Sequence, residues 1–183
     1  MLSFILKSQR ILALSDTHGQ HRSLVIPQAD IIIYAGDACE GGDEEQLGDF
    51  FSWFSALSIR FKIFVAGNHD LVFELDTERA KAMIPDNVVF LENSGVVIEN
   101  IHFYGIVARP WMHVPHPVSE RVDVLITHGP SLGVLDEDSG CLILRELVDK
   151  LKPEVHLFGH IHSCAGGSEI HNGTQFYNVV SSI

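Results

Sequence analysis

Five short polar blocks in this chain hold side chains suited to binding divalent cations and handling protons. They are Ser15-Asp16-Thr17-His18-Gly19, Gly36-Asp37, Gly67-Asn68-His69-Asp70, Thr127-His128-Gly129-Pro130 and Gly159-His160-Ile161-His162. Asp16 and His18 are two apart, so an extended backbone turns both to one side. Each block alone is commonplace: an Asp-x-His or a Gly-Asp pair recurs by chance, and a lone His after a strand is usually a hydrogen-bonded loop residue. The Gly-Asn-His-Asp run is rarer. Five such blocks in order are harder to explain without an ion, because buried His and Asp would carry desolvation costs with nothing to offset them.

Every block follows a short apolar run. Residues 11–14, 31–34, 62–65, 124–126 and 155–158 are aliphatic or β-branched and read as strands buried on both faces. The polar residues therefore stand at the C-terminal ends of strands, where α/β proteins usually place their sites. Residues 43–58 read as a helix, with Asp43 as its cap and Leu47, Phe50, Phe51, Phe54 and Leu57 at helical spacing. Residues 76–84 form a weaker helix stopped by Pro85, and 141–151 a stronger one with Pro153 beyond its end. Two hairpins are expected, one turning near Glu99-Asn100 and one at Asn172-Gly173. With no linker or repeat, the reading is one α/β domain over residues 1–183, of mixed α+β character, in which two packed mixed β-sheets are flanked by helices.

The composition narrows the function classes. Acidic residues outnumber basic ones 24 to 12, a formal charge of −12. Such a surface repels a polyphosphate chain, so long nucleic acid is not an expected partner. Three cysteines, Cys39, Cys141 and Cys164, are too few and scattered for a disulfide framework. No apolar run is long enough for a membrane span, and residues 2–6 are too short for a signal-peptide core. The expected address is cytoplasmic, with no membrane partner. A homodimer is left open.

Taken together, the five blocks resemble the calcineurin-like metallophosphoesterase superfamily, which carries D-x-H, GD, GNH[DE], a lone His and G-H-x-H. The resemblance runs from Ile11 to Ser182. Residues 105–111 and 127–132 are further similar to the small metallophosphoesterase-domain subgroup, whose members hydrolyse cyclic nucleotides and related phosphodiesters. The resemblance implies that Asp16, His18, Asp37 and His162 hold a first metal and that Asp37 bridges to a second, completed by Asn68, His128 and His160. It implies that His69 contacts the scissile phosphate, with Asp70 as the carboxylate that orients it, and that Asn68 also touches substrate. His160 is present, whereas relatives lacking that first His of G-H-x-H are nearly inactive. Relatives run on by a further strand, so a last strand or a dimer contact is expected to be shorter or absent near Ile183.

The implied activity is that of a binuclear metal-dependent phosphoesterase acting on small, cyclic-nucleotide-like phosphodiesters through a metal-bridging hydroxide. The alternatives are a phosphomonoesterase or protein phosphatase, and a weakly catalytic nucleotide-binding regulatory module. Four imidazoles among seven ligands argue against a pure Mg²⁺ or Ca²⁺ site. Two divalent ions, Mn²⁺ foremost with Fe, Zn or Ni as alternatives, suit such a set.

Other candidates are weaker. In residues 109–117 three prolines stiffen a loop, from which Arg109 could reach a phosphate oxygen and Trp111 could stack on a planar leaving group. His21 reads as a solvated loop residue and His171 as exposed. His102 and His156 read as outward-facing or hydrogen-bonded strand residues. Asp43-Glu44-Glu45 is explained by the helix dipole.

Overall fold

The computed structural model describes residues 1–181. Its strands are β1 (Leu2–Leu6), β2 (Gln9–Leu14), β3 (Ile31–Ala35), β4 (Phe61–Val65), β5 (Val89–Phe90), β6 (Ser94–Ile98), β7 (Ile101–Gly105), β8 (Val124–Ile126), β9 (Val155–Phe158), β10 (Ser168–His171) and β11 (Thr174–Asn178). Its helices are α1 (Glu44–Ala56), α2 (Val72–Leu75), α3 (Thr77–Ala82) and α4 (Leu142–Leu151). No helix among the described residues is long and apolar enough to cross a membrane.

Strand side chains alternate in direction, and here both directions lead into a core. Ile11, Ala13, Ile31, Ile33 and Ile63 pack in one cluster with Phe103, Val124, Ile126 and Leu157, which fills the space between two sheets. Leu12, Leu14, Ile32, Tyr34 and Phe64 face the other way, onto Leu47, Phe50, Phe51 and Phe54 of α1. On the far side Tyr104, Leu125 and Phe158 meet Leu144 and Val148 of α4. The result is a helix–sheet–sheet–helix arrangement, as the alternation of apolar runs and helices predicts.

The first sheet runs β1-β2-β3-β4-β5, antiparallel only between β1 and β2. The second runs β10-β11-β9-β8-β7-β6, with a parallel centre and an antiparallel pair at each edge. The edge hairpins turn at the expected pairs: Glu99 and Asn100 at φ +49° and +62°, and Asn172 and Gly173 at +48° and +89°. The parallel strands of each sheet end on one edge, where Ser15 forms a parallel bridge with Val180 and joins the two sheets.

Local chemistry sets the helix starts. The Asp43 carboxylate accepts the Glu45 and Gln46 N–H groups at 3.0 and 3.1 Å, as a cap should. Three elements differ from expectation. β1 pairs with β2 through a turn at Lys7-Ser8, which has no Gly or Asn to announce it. The helix expected over 76–84 is the shorter α3, capped by Asp76 and preceded by α2. β5 is only two residues long. The expected shortening near Ile183 lies outside the described residues.

His156 of β9 is hydrogen-bonded and points inward, with Nε2 2.9 Å from Thr127 Oγ1. Burial pushes its pKa down from 6.5 to about 3. The folded state therefore refuses a proton that the unfolded chain accepts below pH 6.5, and stability falls as pH drops from there toward 3. At pH 5 the loss is about 2 kcal/mol from this group. Denaturant unfolding at pH 7 and pH 5 checks it: wild type should lose about 2 kcal/mol more than His156→Gln across that interval. Equal losses would contradict a neutral, buried His156.

Candidate metal centre

The strand ends bring the five polar blocks together. Donor atoms of Asp16, His18 and His162 lie within 4.8 Å of one another, as do those of Asp37, His128 and His160, and those of His18, Asp37 and His69. Asp37 belongs to two of these groups. Its Oδ2 is 3.2 Å from His128 Nε2 and 4.0 Å from His18 Nε2. Asp16 Oδ1 lies 3.5 Å from His162 Nε2. Asn68 Oδ1 is buried without a hydrogen-bond partner.

The backbone is bent to aim these groups. Asp16, His18, Asp37 and His160 all have positive φ, at +58°, +43°, +60° and +67°. For residues with a Cβ this region costs about 1–2 kcal/mol each. The surrounding structure holds them there: Asp16 N–H donates to Gly36 O at 2.9 Å, and His18 N–H to Asp37 O at 3.1 Å. The loops also approach too closely for side chains at Gly36 and Gly67. A Cβ on Gly67 would stand 2.1 Å from Asp37 Oδ1, and one on Gly36 would stand 2.5 Å from His128 Nδ1.

His128 is fully buried, and its Nδ1 lies 2.9 Å from Ala35 O. That contact assigns the N–H to Nδ1 and leaves Nε2 as a lone pair toward Asp37, without hydrogen-bond geometry. Burial opposes a charge on this ring, but Asp37, helped by Asp16, outweighs it and raises the pKa to about 9. The pocket thus demands positive charge between a nitrogen lone pair and a carboxylate, and a divalent cation answers that demand. Asn68 Oδ1 adds a second waiting donor. The residues present fit a metal centre.

A model of the calcineurin-like phosphoesterase family matches residues 9–164. The chain belongs to that family. Calcineurin-like phosphoesterases are metal-dependent and use a divalent metal centre. The chain is 32% identical to UPF0046 protein K07C11.7 of Caenorhabditis elegans, over 92% of this chain and 68% of the relative. It is 29% identical to human metallophosphoesterase domain-containing protein 1, over 92% of this chain and 64% of the relative. It therefore spans about two thirds of those proteins' length. The fold is similar to that of phosphopantetheinyl hydrolase from Mycobacterium tuberculosis, with a TM-score of 0.63 at 16% identity, covering 93% of this chain and 88% of the other.

Several expected roles are placed differently in this phosphoesterase. Asp70 does not orient His69. It is fully buried, and its carboxylate accepts the backbone N–H groups of Asp37, Ala38, Cys39 and Gly67 at 2.8–3.1 Å. Burial and the nearby Asp37 charge push its pKa up, while those N–H donors pull it down. The group beside His69 is Glu40, whose Oε1 is 3.0 Å from His69 Nδ1 and whose Oε2 is 3.2 Å from His18 Nδ1. The signal for it was an acid just beyond Asp37, in a run with no established spacing rule.

Arg109 does not face the ligand cluster, because its guanidinium is buried against Glu92 at 2.9 Å. Trp111 is half-exposed, and its Nε1–H donates to Ser139 O at 2.7 Å. His21 is not solvated: it is buried against Phe50 and Trp53, with Nε2 3.1 Å from Asp49. His171 is half-buried against Arg145, not exposed.

The two acids beside His69 in space and in sequence should separate cleanly. Glu40→Gln should lower kcat by roughly 10–100-fold with stability retained, as for removal of a group that holds an imidazole. Asp70→Asn should cost about 1–3 kcal/mol in denaturant unfolding, because an NH₂ replaces an acceptor facing backbone N–H groups. A stable Asp70→Asn with low kcat, beside a fully active Glu40→Gln, would reverse the assignment.

Proposed function

We propose that the chain hydrolyses small phosphodiesters, cyclic-nucleotide-like in size and charge, at a two-ion centre with Asp37 as the shared ligand. The observation that carries this reading is the Asp37 carboxylate, which faces His128 on one side and His18 on the other. Asp16, His18 and His162 would hold one ion, and Asn68, His128 and His160 the other. Two divalent cations bound there, Mn²⁺ first among the candidates, would supply Lewis acidity and activate a water for in-line attack at phosphorus.

The residues around them handle binding and the proton. Asp16 and Asp37 offset part of the ions' charge and leave a positive pocket inside a protein of formal charge −12, so a phosphate is drawn to this point alone. His69 Nδ1 lies 3.0 Å from Glu40 Oε1, and Nε2 would give its proton to the leaving oxygen as the P–O bond breaks. The charge inventory supports a diester. A dianionic monoester is usually gripped by guanidinium groups, and Arg109 is already committed to Glu92. A diester monoanion asks for less. The negative surface disfavours long nucleic acid as substrate.

With Mn²⁺ added, kcat/KM for bis(p-nitrophenyl) phosphate should exceed that for p-nitrophenyl phosphate, and Asp37→Asn should lower diester turnover by roughly 100-fold or more. Preference for the monoester, nucleotide binding with no turnover under any metal, or an undiminished Asp37→Asn would each overturn the reading.

A further inference from the structure

His156 and Thr127 form a buried polar pair that the reaction above leaves unused. His156 stands on β9, the strand that leads to His160, and Thr127 follows β8 and directly precedes His128. Both side chains are fully buried. The Thr127 hydroxyl donates to Gly129 O at 2.7 Å, so it spans His128 and closes the bend that carries it. With its one proton committed there, the oxygen must accept from His156 Nε2, 2.9 Å away. That assigns the ring as the neutral Nε2–H tautomer and leaves Nδ1 bare. Nδ1 is buried without a hydrogen-bond partner.

The ring packs beside Phe158 and Phe176, with centroids 5.4 and 5.3 Å away. An apolar side chain would fill this part of the core with no nitrogen left unpaired, so packing alone does not account for the ring. What the pair holds is the His128 bend. Strand pairing already sets Leu125 against His156 and Ile126 against Leu157, and Thr127 N–H extends it to Leu157 O at 3.0 Å. Beyond that point the backbone turns. Gly159 N–H takes His128 O at 2.9 Å, Ala35 O takes His128 Nδ1 at 2.9 Å, and the Thr127 hydroxyl fixes the peptide that follows. The His128 and His160 rings then meet edge to face, 5.2 Å apart.

We propose that His156 is a positioning residue for one ion of the pair: through Thr127 Oγ1 it fixes the bend that aims His128 Nε2 and so keeps His128 and His160 together as ligands. The inference rests on the two-ion reading. It assigns the effect to the ion held by Asn68, His128 and His160, because the bend carries His128 alone. Asp16, His18 and His162 keep their places without it. A hydrogen bond that orients a ligand's support in this way governs metal affinity.

Release of Mn²⁺ from the loaded chain to a competing chelator tests this with two pairs of variants. Thr127→Val keeps the side-chain shape without the hydroxyl, and Thr127→Ser keeps the hydroxyl. His156→Leu removes the N–H donor, and His156→Gln retains one. Affinity for one of the two ions should weaken about 10–100-fold in Thr127→Val and in His156→Leu, and stay within about threefold of wild type in Thr127→Ser and His156→Gln. Affinity for the other ion should hold within about twofold in all four. Thr127→Val combined with His156→Leu should weaken the affected ion no further than Thr127→Val alone, since both changes act through one oxygen. Unchanged affinities in Thr127→Val, equal weakening of both ions, or no rescue by Thr127→Ser would each overturn the proposal. Should His156→Leu fail to fold, the Thr127 pair decides alone. If wild type holds a single ion, the two-ion reading fails; weakening of that ion in Thr127→Val but not in Thr127→Ser still supports the positioning role, and an unchanged affinity overturns it.

Discussion

Asp70 is a buried carboxylate surrounded by main chain. Its two oxygens take the N–H groups of Asp37, Ala38, Cys39 and Gly67, and so clamp the loop after β3 to the loop after β4. Asp37 sits on one of those loops, and Asn68 and His69 on the other. Without that clamp the positive φ of Asp37 would relax, and the close approach of Gly67 to its carboxylate would have nothing to hold it. The same clamp concentrates negative charge: burial and the Asp37 charge raise the pKa of Asp70, and Asp37 and Asp16 draw the His128 imidazole toward its charged form. The centre is thus built with a demand for cations, which its donors are placed to meet.

The wider fold serves this edge. Two cores and a sandwich interface hold the strands rigid, and their parallel arrangement brings five loops to one place. Loops carry the chemistry while apolar strands set their spacing. The Pro-rich segment packs against the loop that carries His128, where Pro110 leaves no room for a side chain at Gly129.

Much of this was legible in the residues. Strands buried on both faces appear as unbroken apolar runs, so residues 31–34 and 155–158 were readable within a residue, and Asn172-Gly173 announced its turn chemically. The Lys7-Ser8 turn carried no such mark, and a two-residue strand such as β5 has no period to detect. At the centre, the five polar blocks and the family resemblance they carry pointed to the groups that converge, but not to the acid that lies beside His69. Asp70 adjoins His69 in sequence, yet successive residues send their side chains in different directions. Glu40 reaches His69 through tertiary folding alone. Arg109 was misread for the same reason: its guanidinium is paired with Glu92, seventeen positions upstream, a pairing that exists only once β5 and the following loop are in place.

The account stands on two ions sharing one aspartate, and anomalous diffraction from crystals grown with Mn²⁺ tests it most directly. Two anomalous peaks about 3.5–4 Å apart, each within about 2.0–2.4 Å of an Asp37 carboxylate oxygen, are the predicted result. A single peak, or a pair of which only one touches Asp37, would contradict it.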